Sequence, residues 1–166
     1  MFCSQAASIY PDLDRLLKQA IDLAAAGKGL IQLHDDKTET LSIVSSYNLG
    51  NQFLTTFQAV KAFDPTACGR CFGLKIPITV DNVLLDKAFF PFRDIIDLEE
   101  IRAAKSFPLY HLNEKTIVGV LSLYFPKQLY IRNSKDIPVK HFNKIALFLH
   151  QLRENRFPNV AEKSSK

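Results

Sequence analysis

Apolar side chains recur along this chain with two periods, one helical and one alternating, and the switches between them mark out seven segments. Leu13, Leu16, Leu17, Ala20, Ile21 and Ala24 fall at offsets of 0, 3, 4, 7, 8 and 11, one stripe of a helix. Asp12 and Asp14 occupy its first turn, where negative charge complements the helix dipole. Gly27 and Gly29 are its expected stop. A short apolar run, Leu30–Leu33, leads to the turn Asp35-Asp36-Lys37, and Leu41–Tyr47 reads as the return strand of a hairpin. Asn51–Phe63 predicts a helix with Phe53, Leu54, Phe57 and Val60 on one side. Asp64-Pro65 ends it, because the residue before proline is pushed out of the helical region.

A short helical turn around Cys68 and a strand over Ile76–Val80 follow. Asp81–Lys105 is a long crossover containing Phe89, Phe90, Phe92, Ile95, Ile96, Leu98 and Ile101. It is too apolar for a free loop, so one or two short helices covering the sheet are expected within it. Phe107–Leu112 and Thr116–Phe125 form a second hairpin around the turn His111–Lys115. In its second strand Ile117, Gly119, Leu121, Leu123 and Phe125 alternate with Val118, Val120, Ser122 and Tyr124. Both sets are mostly apolar, which predicts a central strand covered on both faces. A closing helix runs from Pro138 to Arg156, with Val139, Phe142, Ala146, Leu149 and Leu152 as its apolar stripe. Two hairpins around a crossover predict an α+β domain, an antiparallel sheet with helices on both faces. The terminal helices share one face and the crossover helices the other.

Composition narrows the class. The chain has 166 residues, 47% of them hydrophobic and 23% charged, with no internal repeat, so a single domain over 1–157 and a polar tail over 158–166 are expected. A chain of this size buries roughly 70% of its unfolded surface and folds without a metal or disulfide. Three cysteines are too few for a secreted disulfide framework. The first residues lack the basic and apolar regions of a signal peptide, and no stretch reaches the ~20 apolar residues of a membrane span. A cytoplasmic protein with no membrane partner is the expectation. The net charge of +4 is uneven: residues 127–166 carry nine basic and three acidic side chains, and the remainder is slightly acidic. The basic excess is not interleaved with aromatic residues, so it reads as a solvated face rather than a nucleic-acid site.

Seven fragments, in order, resemble a GAF domain, the sensory module of many phosphodiesterases, phytochromes and bacterial signalling proteins. Gly29-Leu30-Ile31-Gln32-Leu33 with Asp36 resembles its first strand and turn, and Gly50 with Phe53-Leu54 the next helix. Ala67-Cys68-Gly69-Arg70 resembles the short helix before the third strand. Ile78-Thr79-Val80-Asp81-Asn82-Val83 with Asp86 and Phe89 resembles the family's V-x-D-V-x-x-D-x-x-F run. Ala103–Leu109 and Val118–Phe125 resemble its R-A-V-x-S-x-P-L and G-V-L-S-x-H-F strands. Together the fragments span about residues 12 to 155. The resemblance implies a GAF/PAS-like sheet of five or six antiparallel strands and a small-molecule pocket under the crossover helices. It also implies a homodimer formed through the terminal helices, which carry the signal to a downstream protein. The chain has no room for an attached kinase, cyclase or phosphodiesterase, so a non-catalytic sensory role leads.

Cys68-Gly69-Arg70-Cys71 invites redox or metal chemistry, because a thiolate at a helix N-terminus beside an arginine has a lowered pKa. A zinc site wants four ligands, and no second C-x-x-C or spaced histidine pair supplies them. Two semi-buried structural thiols are therefore the leading reading, ahead of a redox switch. Neither cysteine is followed by histidine, unlike the bilin-binding members, and the N-K-x-F-D-E signature of the cyclic-nucleotide branch is missing. Haem needs an axial histidine. His34, His111, His141 and His150 are expected on surfaces. Neither haem, bilin nor zinc is supported, and any cofactor is left unidentified. One free-standing GAF branch reduces free methionine sulfoxide with a cysteine pair, a role Cys68 and Cys71 would take. That branch's G-x-G-V-C-G turn is replaced here by Asp64-Pro65-Thr66-Ala67-Cys68-Gly69. The expected ligand-facing set is Cys68, Cys71, Thr79, Phe89, Phe92, Arg93, Arg102, Ser106 and Tyr110. Two readings of this region stand at this stage: an open ligand site, or a core filled by its own phenylalanines.

Overall fold

The computed structural model describes residues 9–111, 115–130 and 135–156. Its order is α1 (Pro11–Ala24), β1 (Lys28–Asp35), β2 (Thr40–Tyr47), α2 (Asn51–Thr56), β3 (Ala59–Lys61), α3 (Ala67–Leu74) and β4 (Ile78–Val80). A 3-10 turn (Lys87–Phe92), α4 (Arg93–Leu98), β5 (Ala103–Tyr110), β6 (Ile117–Phe125) and α5 (Val139–Arg156) complete it. The six strands form one antiparallel sheet in the order β3-β2-β1-β6-β5-β4. This is the α+β architecture expected, with β6 buried along its whole length at the centre. The tip of the β5–β6 turn, including Leu112, lies outside the described residues, as do Cys3 and the tail 158–166.

Each face of the sheet carries its own core. Leu13, Leu17 and Ile21 of α1 and Ile145 and Leu149 of α5 pack on Ile31, Leu33, Leu121 and Leu123. On the opposite face α2, α3, the 3-10 turn and α4 cover Leu30, Leu41, Val80, Ala104, Val120 and Tyr124. β1 and β6 stand under both layers, which is why their apolar residues run nearly without a break.

Local departures from the sequence pattern have identifiable causes. The expected helix over Asn51–Phe63 stops at Thr56, and Val60, which fits its stripe, instead pairs with Leu41 in the short edge strand β3. A β-branched residue beside an open strand edge gains a ladder and a covered face that helix propensity does not outweigh. α1 ends on Ala25 in the left-handed conformation (φ 55°), not on a glycine, and the N–H of Ala26 bonds to Ile21 O at 2.9 Å. β5 begins at Ala103, four residues before the expected Phe107, while β4 spans only Ile78–Val80 and leaves Ile76 exposed. Opposite Leu109 and Tyr110 the register against β6 slips by one residue, so Val118 is extra. Ile117 and Val118 consequently exchange faces relative to strict alternation. On α5 the buried face is His141, Ile145, Ala146, Leu149 and Arg153, rotated from the expected stripe, and Val139 is 72% exposed. The rotation is fixed by His141, whose Nε2 lies 2.8 Å from Leu16 O on α1.

Candidate functional site

The region under the crossover is built from short elements whose termini converge on Tyr124. Thr66 caps α3, accepting the Gly69 N–H at 3.3 Å, and its hydroxyl lies 3.2 Å from Cys68 Sγ. Gly69 and Gly73 allow the preceding turn to lie against the helix. A Cβ at Gly69 would sit 2.4 Å from Asp64 O, and one at Gly73 would sit 2.6 Å from the Phe63 ring. Asp86 caps the 3-10 turn by accepting the Ala88 N–H at 2.9 Å, and its other oxygen takes the Arg70 guanidinium at 2.9 Å. Phe89 is brought inward by this turn.

Between these elements lies a cavity of about 10 Å³, lined by Phe53, Phe57, Thr66, Ala67, Cys68, Phe89, Ile96 and Tyr124. That is about the space of one water. The aromatic rings close it: Phe53 lies 4.6 Å from Phe57 and 5.3 Å, edge-on, from Tyr124, while Phe92 backs Phe57 at 5.0 Å. The sheet contributes a polar thread, with Tyr124 hydrogen-bonded to Ser122 and Ser122 Oγ 2.8 Å from Ser106 Oγ. No charged side chain lines the cavity. In this structure the aromatic side chains leave only that volume under the crossover.

Burial sets the acid–base character of this core. It pushes the Cys68 thiol up, against the lowering effect of the Thr66 hydroxyl, and it raises the Tyr124 hydroxyl well above its ordinary value. Burial, with Cys68 as a further contribution, takes Cys71 to about 12. A thiolate activated by the α3 N-terminus and Arg70, the alternative weighed against two structural thiols, is opposed here by desolvation, and Arg70 is turned away to Asp86 and the Phe89 face. Both thiols are buried and free of disulfide. Unfolded thiols ionise near 9, whereas Cys71 holds its proton to about 12. Raising pH through that window thus favours the unfolded chain, which binds fewer protons there. The expected result is a melting temperature that falls steadily above pH 9, with native-state alkylation of both cysteines negligible at neutral pH. Rapid labelling of either residue in the folded protein at pH 7 would contradict this.

The predicted site residues separate into three groups. Cys68 and Phe89 line the cavity, and Phe92 and Ser106 stand behind its walls. Cys71 is fully buried one helical turn further on. Thr79, Arg93, Arg102 and Tyr110 lie elsewhere. Thr79 is exposed on β4; Arg93 bonds Leu84 O at 2.8 Å over the Phe90 ring; Arg102 pairs with Asp97 at 3.2 Å. Tyr110 donates to Lys75 O. The residues not anticipated are Phe53, Phe57, Thr66, Ala67, Ile96 and Tyr124. Tyr124 shares its strand face with Ser122 and Val120, and that alternation was the available signal.

The histidines are not the surface groups expected. His34 is buried on β1, with Nδ1 3.1 Å from Ile117 O and its ring edge-on to Phe72. His141 is buried between α5 and α1, and the rings of His111 and His150 stack at 3.8 Å. None of the four lines the cavity. Among the described residues no group of three or more His, Cys, Asp or Glu side chains is arranged to hold a metal ion, and no helix is long and apolar enough to cross a membrane.

No protein-family model and no curated protein matches the sequence. Solved structures do match its fold. A domain assigned to a two-component sensor histidine kinase protein from Sinorhizobium meliloti 1021 superposes with a TM-score of 0.64 at 18% identity, covering 96% of this chain and 100% of that one. The GAF domain of A. aeolicus nlh2 in an inactive state gives 0.62 at 24% identity over 90% and 89% of the two chains. Free methionine-R-sulfoxide reductase from Neisseria meningitidis, in complex with its substrate, gives 0.60 at 12% identity over 86% and 75%. The chain has the GAF fold seen in bacterial sensor proteins.

Proposed function

We propose that this chain is a non-catalytic sensory or regulatory GAF module that acts through protein–protein contacts of its terminal helices. The observation carrying the reading is the cavity under the crossover, reduced to about 10 Å³ by Phe53, Phe57 and Phe89. A resident cofactor has no space there, and a small ligand enters only by displacing those rings. Regulation then rests on the bias a ligand or partner gives to two arrangements of the terminal helices. In support, α1 and α5 pack side by side and leave Leu23, Leu147 and Val139 exposed, apolar area that a second copy would cover.

Native mass spectrometry of freshly purified protein tests both parts. The expected species is a dimer of bare chains, converted to monomer by Leu147→Asp with an unchanged circular dichroism spectrum. A dimer carrying a defined extra mass would replace the filled cavity with a ligand-bound one. A monomer at all concentrations would remove the interface.

The likeness to the methionine sulfoxide reductase gives one alternative an observable basis, since Cys68 and Cys71 are the only described cysteines. Nucleophilic attack needs a thiolate, and burial opposes its formation at both residues. In a thioredoxin-linked assay with free methionine sulfoxide, the expected NADPH consumption equals that of the Cys68→Ser, Cys71→Ser control. Cysteine-dependent turnover would make the chain an enzyme.

A further inference from the structure

The cavity under the crossover is closed by a segment that little else holds in place. α2 is six residues long, has no side-chain cap, and buries only Phe53. Asn51, Gln52, Thr55 and Thr56 are exposed. Phe57 follows directly, its N–H bonded to Phe53 O at 3.1 Å. Phe53 and Phe57 both line the cavity, so the inner side of this short segment is the cavity wall. A helix that buries one side chain belongs to the low-stability end of a fold's local openings.

One carboxylate fastens it. Among the described residues, the only hydrogen bond from Gly50–Phe57 to another element runs from the Gly50 N–H to Glu99 Oε1, at 2.7 Å. Glu99 ends α4, whose Ile96 lines the same cavity, and it is buried. Its other oxygen pairs at 2.9 Å with Lys28, at the start of β1, and Lys28 also donates to Asn48 O at 2.7 Å. The carboxylate therefore joins the two helices over the cavity to each other and to the sheet. Gly50 leaves it no slack: a Cβ there would stand 2.5 Å from Glu99 Oε1 and meet no other residue. The Gly50 backbone (φ −76°, ψ 160°) suits alanine, so it is the approach of the carboxylate that calls for glycine.

We propose that α2 is a gate over the cavity and that the Glu99 carboxylate is its latch. With the carboxylate on Gly50 and Lys28, Phe53 and Phe57 are held inward and the cavity is shut. When it leaves, nothing polar ties α2 to α4, and the two rings swing out with the helix. This rests on the reading that a ligand enters only by displacing those rings, and it names the contact whose loss lets them move. The latch is also the link between that movement and the sheet, because Lys28 opens β1, which runs under both layers.

The gate is tested without a ligand, in the full chain, by alkylation with iodoacetamide at neutral pH. Cys68 lines the cavity and Cys71 does not, although both are buried. Gly50→Ala displaces the carboxylate from one side. Glu99→Gln weakens it from the other, since an amide has one acceptor oxygen for the two donors of Gly50 and Lys28. Each variant is expected to speed Cys68 labelling by about tenfold to a hundredfold and to leave Cys71 protected. Amide hydrogen exchange then quickens at 51–57, while the amides of β1 and β6 keep their protection. Equal acceleration at Cys68 and Cys71 is global opening and overturns the gate. So does acceleration in one variant alone, or in neither, because both changes act on the same bond. Dimerisation does not enter this measurement, so a monomeric chain leaves the gate standing and a failed gate leaves the helix interface untouched.

Discussion

Gly119→Ala is expected to destabilise the domain by roughly 3 kcal/mol or more, the upper end of overpacking costs and a large share of the ~5–15 kcal/mol that holds a native domain together. Gly119 lies on β6 opposite Leu33 of β1 and Leu109 of β5, in the middle of the sheet. A Cβ there would sit 2.1 Å from Gln32 O and 2.6 Å from Leu149 Cδ1. The second obstacle is a side-chain tip that can swing aside. The first is a backbone carbonyl of the neighbouring central strand, and relieving it means prising β1 from β6. Leu149 is also fully buried on α5, so the disturbance reaches the terminal helix on which the proposed signalling surface lies. Gly27→Ala is the matched control: its new methyl meets only Pro126 Cδ at 3.7 Å, and Gly27 has no positive φ. That change is expected within about 0.5 kcal/mol of the parent. Urea midpoints with unchanged slopes measure both. Equal midpoints for the two variants would show that the strands do not approach as closely as described.

The layered arrangement was legible because the sheet imposes its period on long segments. β1 and β6 carry apolar residues on both faces, and no other placement buries both sets. Short elements were less legible. Val60 satisfies a helical stripe and a strand pairing equally well, and the choice is made by the open edge of β2, far from it in sequence. The exchange of Ile117 and Val118 depends on one extra residue between β5 and β6, which no pattern within β6 announces. The site was half legible for a related reason. Phe89 and Cys68 lie in GAF-like segments expected to face a ligand, whereas Phe53, though also in a GAF-like fragment, and Phe57 fitted the apolar stripe of the expected helix over Asn51–Phe63 and gave no separate signal of a cavity. Arg93 and Arg102 were expected in the ligand-facing set, yet both are consumed by surface contacts, and no charged side chain lines the cavity.

One residue holds that neutral cavity shut more than any other, and Phe53→Ala is expected to open it. Phe53 is 2% exposed, and its ring stands between Phe57 and Tyr124, against the existing void. Truncation removes a full phenyl ring where the sheet below cannot move up to fill the gap, so the cost is about 3–5 kcal/mol. The space left is apolar, apart from Thr66, Cys68 and the hydroxyl of Tyr124, which is already bonded to Ser122. Such a cavity stays dry and accepts a benzene-sized guest. Melting curves with and without benzene therefore distinguish the states. The variant's midpoint is expected to rise on saturation, by an amount equivalent to ~2.7 kcal/mol at a hundredfold excess over its dissociation constant, while the parent's stays fixed. An equal rise in the parent would mean that Phe53 and Phe57 part without mutation, so that the pocket is a working ligand site in a closed state. No rise in either protein would mean that α2 collapses onto Tyr124 when the ring is lost. The three outcomes assign different mechanics to the same fold: a filled core that signals through its helices, a sensor that opens on demand, or a layer whose helices follow whatever lies beneath them.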